Sequence, residues 1–254
     1  MTTIEDEFQR MRPAFDKWSS FVLIGKKIIA EGTENFVKTG PSVVVGNHIG
    51  TVKDIAAFYK IYPRSFVCTA NRMIMDKNEL DFLIRKHLKR HFKEIGLLIN
   101  MLLKPLKAPF VDWATRTVRR IGTIPVDLYS SKRDAILKCQ EAVLGGNALV
   151  TLHGRGRVMK DEPNPYVSRI RRGGAIVAYN LYENNGLRVP VTPMVLFGTQ
   201  LPLFFPTKIR VKIGEPMFVT DHLGDSFDET IEKFRAAIDA RINSLFFQII
   251  KSLE

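Results

Sequence analysis

His48 and Asp54, six residues apart, offer a titratable ring and a carboxylate to orient it. A β-branched run, Val43-Val44-Val45, is entered from Gly40-Pro41 and closed by Gly46-Asn47. It reads as a short buried strand. His48 is the first residue beyond its end with useful side-chain chemistry. Thr51 then opens a helix: Thr51-Val52-Lys53-Asp54 has capping-box spacing, a hydroxyl answered three residues on by a carboxylate, ahead of apolar Ile55 to Phe58. An imidazole titrates near neutral pH, so it can take a proton without extreme tuning. A carboxylate in the next helix's first turn can orient the ring. Asp54 also has a purely structural use there, answering the helix dipole. In open α/β sheets ligands bind outside the carboxyl ends of strands, where His48 would sit.

A second group is His87 and His91, four residues apart on a helical stretch, with Glu94 one turn on. Two imidazoles at that spacing could hold a metal. However, Arg85, Lys86, Lys89, Arg90 and Lys93 crowd the same stretch and would repel a divalent cation, so no metal is expected. Those charges suit anionic head groups or a phosphorylated cofactor, or form a solvated face.

The elements that must position these residues alternate. Strands are expected at 43–45, 66–68, 123–126, 148–152, 189–196 and 208–213, and helices from 51, over 131–144, 173–182 and 226–253. Residues 76–103 read as one long helix or two joined near Gly96, stopped by Pro105. Residues 8–30 carry Phe8, Met11, Phe15, Trp18, Phe21, Val22 and Ile28 at helical spacing, interleaved with Lys17, Lys26 and Lys27. That composition fits an interfacial helix or, equally, one packed on its own domain. The expected fold is α/β: a single domain with a mostly parallel central sheet flanked by helices. An N-terminal amphipathic segment (residues 1–30) with potential membrane contact precedes the domain proper (31–254).

At 254 residues the chain can bury a substantial core. Its 38 Lys and Arg against 26 Asp and Glu leave a net charge of +12, a surface that seeks nucleic acid, an acidic membrane face or phosphorylated small molecules. Two cysteines, Cys68 and Cys139, form no metal or disulfide pattern and fit a reducing compartment. The polar, acidic start, Met1 to Glu7, does not read as a secretory signal. No apolar run approaches the ~20 residues needed to cross a bilayer, so any membrane contact is expected to be peripheral.

Taken in order, four blocks resemble the glycerophospholipid acyltransferase family of the lysophosphatidate type. They are Gly40 to His48; Gly122-Thr123-Ile124-Pro125-Val126-Asp127; Leu149 to Arg157; and Val189-Pro190-Val191-Thr192-Pro193-Met194, with Lys208 to Pro216 like the strand that follows. The resemblance spans about residues 30 to 250. It implies transfer of a fatty acyl group from a thioester, on coenzyme A or acyl carrier protein, to the hydroxyl of a lysophospholipid or glycerol-phosphate-like acceptor. His48 would take the hydroxyl proton and Asp54 would hold the ring. Asn47, Thr51, Lys53, His153, Gly154, Arg155 and Arg157 would contact substrate. No bound cofactor is implied. The partners would be the thioester donor, the lipid acceptor and an anionic membrane, with the protein cytoplasmic and peripheral on the inner face.

Three departures stand out. Five residues, Ile49 to Lys53, separate His48 from Asp54 where the family has four, and Gly50 is expected to absorb the extra one. Leu128 stands where an Arg is common. The third block reads Leu152-His153-Gly154-Arg155-Gly156, with His153 in place of Glu, and a neutral or cationic ring cannot accept hydrogen bonds as an anion does. His153 therefore either assists the site or fills space. The glycines beside Arg155 and Arg157 would let backbone approach an anion, although the pair also reads as an exposed basic turn. Two other functions remain on the table: a lipid- or nucleotide-binding protein on the same fold without turnover, and, last, nucleic-acid binding. No nucleic-acid partner is expected, because no stacking motif or recognition helix accompanies the charge.

Overall fold

The computed structural model describes residues 4–93, 95–120, 122–127, 133–202 and 205–253. Glu94, Leu128 and the expected helix start at Ser131 lie outside the described residues. The chain runs α1 (Ile4–Val22), β1 (Lys26–Glu31), β2 (Ser42–His48), α2 (Val52–Ile61), β3 (Phe66–Asn71), α3 (Lys77–Phe92), α4 (Ile95–Leu102) and α5 (Lys104–Arg120). It continues through β4 (Ile124–Val126), α6 (Arg133–Leu144), β5 (Ala148–Gly154), α7 (Gly173–Asn185), β6 (Val191–Phe197), β7 (Thr207–Ile213) and α8 (Phe227–Lys251). Among the described residues these strands form one sheet, ordered β1-β7-β6-β2-β5-β3-β4. Every pairing is parallel except β6 with β7. The expected single α/β domain with a mostly parallel sheet is what forms.

The order explains where a site can open. The chain leaves β2 through α2 to reach β3, two places along the sheet; it leaves β5 through α7 to reach β6, two places the other way. Right-handed crossovers running in opposite directions place their helices on opposite faces. The side chains agree. Val44 packs with Ala56, Ala57 and Phe58 of α2, while Val43 and Val45 pack with Ala178 of α7 and Phe234 of α8. Neighbouring strands β2 and β5 therefore send their following helices to opposite faces, the arrangement that places a crevice at the carboxyl ends of such strands.

Two expectations change. The N-terminal helix ends at Val22 rather than residue 30, and Lys26–Glu31 form an edge strand paired to β7 in register from Lys26↔Thr207. The apolar stripe of α1 is buried on its own domain. Phe8 meets Phe66 and Phe15 meets Tyr59 with ring centroids 5.5 Å apart in each case. Residues 76–103 do form two helices that meet near Gly96 and end at Leu102, but a further helix follows, with Pro105 in the first turn of α5, where its missing N–H costs nothing.

Candidate active site

His48 is the last residue of β2, and its ring lies beside Asp54 in the first turn of α2, Nδ1 to Oδ2 2.8 Å. The same Oδ2 accepts the backbone N–H groups of Ile49 (2.8 Å) and Gly50 (2.7 Å). Oδ2 is thus an acceptor toward each of its neighbours, and the imidazole donates to it through Nδ1. That fixes the tautomer and leaves the Nε2 lone pair free to accept a proton. Asp54 is fully buried, whereas the His48 side chain keeps 24% of its surface exposed. The exposed edge of the ring is therefore the edge away from Asp54.

The additional residue between them is absorbed differently from the expectation. The unusual backbone is at Thr51, with φ 55°, not at Gly50. A β-branched residue at positive φ is strained, by about 1–3 kcal/mol, and such strain concentrates at functional loops. Gly50 is needed for another reason: a Cβ there would collide with the Thr199 side chain. The expected capping box does not form. Thr51 makes no side-chain cap, and its hydroxyl donates instead to the Gly156 carbonyl at 3.1 Å. Asp54 reaches past Thr51 to the loop amides before it.

The loop after β5 is stitched to the His48 loop. Gly156 N–H donates to the His48 carbonyl (3.0 Å), and a Cβ on Gly154, whose φ is 144°, would collide with that same oxygen. Arg155 and Arg157 flank Gly156 and so start from backbone next to His48. Arg155 is exposed, Arg157 half-buried, and neither is ion-paired among the described residues.

Three other expected site residues have internal jobs. Asn47, expected to bind substrate, is fully buried and bridges β2 to β6 just past their last paired residues. Its Nδ2 donates to the carbonyls of Leu196 and Tyr166 (2.9 Å each), and its Oδ1 accepts Leu196 N–H (2.7 Å). It holds the crevice wall rather than a ligand. The Lys53 ammonium, also expected at the substrate, donates to the Leu201 carbonyl in the loop after β6. Burial, and then nearby Lys26, lower its pKa, against the pull of Asp54. His153 pairs in register with Asn47 and is buried, its Nδ1 accepting Arg171 N–H at 3.3 Å. Burial first, then the charges of Arg171 and His48, push its pKa down to about 4. It is a neutral ring in the wall, and does not replace the anionic Glu it stands for.

Sequence reasoning missed Arg171. It is exposed, acts electrostatically on His153, and has no ion pair among the described residues. A signal was present: Arg169, Arg171 and Arg172 immediately precede α7, and cations at a helix N-terminus oppose its dipole. Arg169 and Arg172 are consumed by Glu232 and Asp228 of α8. As to metals, His87 and His91 lie on α3, and no cluster of three or more ligating side chains occurs among the described residues.

No protein-family model matches the chain, and no curated protein sequence does. Among solved structures it is similar to the 1-acyl-sn-glycerophosphate (LPA) acyltransferase PlsC from Thermotoga maritima. The TM-score is 0.55 at 18% sequence identity, over 96% of this chain and 82% of that one. At that identity the likeness is one of architecture: this chain has the fold of a glycerophosphate acyltransferase, with His48 and Asp54 paired where β2 passes into α2.

Proposed function

We propose that the protein is an O-acyltransferase. It moves a fatty acyl group from a thioester of coenzyme A or acyl carrier protein to the hydroxyl of a lysophospholipid or glycerol-phosphate-like acceptor at a membrane surface. The observation that carries this reading is the 2.8 Å contact of His48 Nδ1 with the buried Asp54 carboxylate, on a fold shared with an acyltransferase.

The chemistry follows from the tautomer. Nε2 of His48 takes the acceptor's hydroxyl proton as its oxygen attacks the thioester carbonyl carbon. Asp54 stabilises the imidazolium that results. The tetrahedral intermediate collapses with cleavage of the C–S bond, and the proton on Nε2 goes to the departing thiolate. No metal or redox partner takes part in this step. Arg155, Arg157 and Arg171, around the crevice, supply positive charge for a phosphate of acceptor or donor.

The test is His48→Ala, assayed with labelled acyl-CoA and acyl carrier protein over a panel of lysolipids and glycerol phosphate. Loss of a positioned base costs roughly 10²–10⁴-fold in rate. Transfer persisting near the wild-type rate would end the proposal. Tight vesicle binding with no turnover for any donor–acceptor pair would replace it with a lipid-binding protein.

A further inference from the structure

Helix α4 is built inside out. Its inner side, Gly96, Ile99 and Asn100, faces the protein. A Cβ on Gly96 would collide with the Leu88 carbonyl of α3, and Asn100 Oδ1 accepts Lys107 Nζ at 2.7 Å. The residues turned outward are Ile95, Leu98, Met101 and Leu102, each more than half exposed, at 64%, 53%, 63% and 66%. The face continues into α5 with Leu106, 71% exposed, and Phe110, 42%. Polar side chain inward and aliphatic side chains outward is the reverse of a helix that faces water. The patch is contiguous along the chain, and patches beyond a few hundred Å² on a monomer mark a binding surface.

Charge says what covers it. Residues 76–120 hold eleven Lys and Arg against five Asp and Glu. Three of the acidic groups are occupied: Asp81 pairs with Arg85 and Lys107, Asp112 with Lys77 and Arg116, and Asp76 caps α3. Lys93 and Lys104 adjoin α4 in the chain, Lys86 and Lys89 lie on α3, which packs on it, and none of the four has an ion pair among the described residues. Aliphatic residues framed by uncommitted cations match the interior and the head groups of an anionic leaflet at once. Eight residues of α4 span only about 12 Å, so the helix enters one leaflet without crossing. No described helix is long and apolar enough to cross a membrane.

We infer that the outer face of α4 and the start of α5 is the protein's docking surface for an anionic lipid bilayer. The placement serves the site. The chain departs into α3–α5 from the carboxyl end of β3, parallel to β2, which is the end at which His48 opens. At the opposite edge of the sheet the same end leaves Phe21, Ile24 and Phe205 exposed, so apolar side chains flank the crevice on both sides. The inference deepens the membrane-surface part of the proposed function and rests on it. It does not depend on the chemistry at His48.

The experiment is co-sedimentation with vesicles of phosphatidylglycerol and phosphatidylcholine (3:7) and of phosphatidylcholine alone, without acyl substrates. Wild type and His48→Ala are expected to sediment equally, and only with the anionic vesicles. Leu102→Asp/Leu106→Asp is expected to lower vesicle affinity at least about tenfold, two buried leucines being worth more than that. Its melting temperature should be unchanged, since both side chains are exposed. Lys89→Gln/Lys93→Gln/Lys104→Gln, which leaves the apolar face intact, should also weaken binding about tenfold or more. Undiminished sedimentation of both variants would overturn the inference, as would a wild type indifferent to anionic vesicles. So would light scattering that shows a wild-type dimer split by the Asp variant, since the face would then belong to a second copy. Turnover by His48→Ala is read separately and bears only on the catalytic proposal.

Discussion

Asp54 does two jobs with one oxygen: it holds the loop through the amides of Ile49 and Gly50, and it orients the ring of His48. The two can be separated. In Asp54→Asn the amide oxygen keeps its place as acceptor, but the negative charge that stabilises an imidazolium is gone. The expected outcome in steady-state kinetics is a fall in kcat of about 10²-fold or more with a small change in KM. Asp54→Ala should in addition leave two buried N–H groups unpaired and cost about 1–3 kcal/mol each by chemical denaturation. His153 yields a prediction about pH. Its folded pKa, about 4, lies below the ordinary 6.5, so between these values the unfolded chain binds a proton that the folded chain refuses. Stability therefore falls as pH drops from 6.5 to 4 and levels off below, with a total loss on the order of 3 kcal/mol. His153→Asn, which keeps an acceptor for Arg171 N–H, should flatten that part of the pH–stability curve measured by urea unfolding. His48 and Asp54 were legible because they lie six residues apart at a strand-to-helix junction. Asn47, Lys53 and Arg171 were not, because their partners lie 18 to 149 residues away. Nothing local marks Asn47 as a strut rather than a ligand.

Helices α1 and α4 show how one pattern at the level of the element can mean opposite things. Both carry apolar stripes with lysines nearby, but α1 turns its stripe to Tyr59 and Phe66 while α4 turns its stripe out. Truncating Phe15 to Ala should cost about 3 kcal/mol in thermal or urea unfolding, as for a buried ring. Leu106→Ala should cost almost nothing in the same measurement. The long periodic helices and the strands β2, β5, β6 and β7 could be read directly, because their burial repeats at 3.6 or 2 residues or fills a whole run. β1 could not. Lys26-Lys27 and Ile28-Ile29 continue the helical rhythm of the preceding stretch, and only Gly25, at φ 70°, marks the break. The capping-box motif at Thr51 was present in the residues but was outcompeted by the Gly156 carbonyl, a partner 105 residues on.

For the whole molecule, charge and sheet order matter more than any one contact. Eleven of the 38 cationic residues crowd into α3–α5, so the net +12 is a directed asymmetry rather than a uniform coat. The sheet carries an asymmetry too. β1 is the outermost strand and comes from the first thirty-one residues, so the leading segment is structurally part of the domain that follows it. A chain begun at residue 32 would not be a trimmed version of the same domain. It would bare the backbone of β7 along Thr207–Ile213, a ready template for a strand from another molecule. Such a truncation should emerge as aggregates on size-exclusion chromatography.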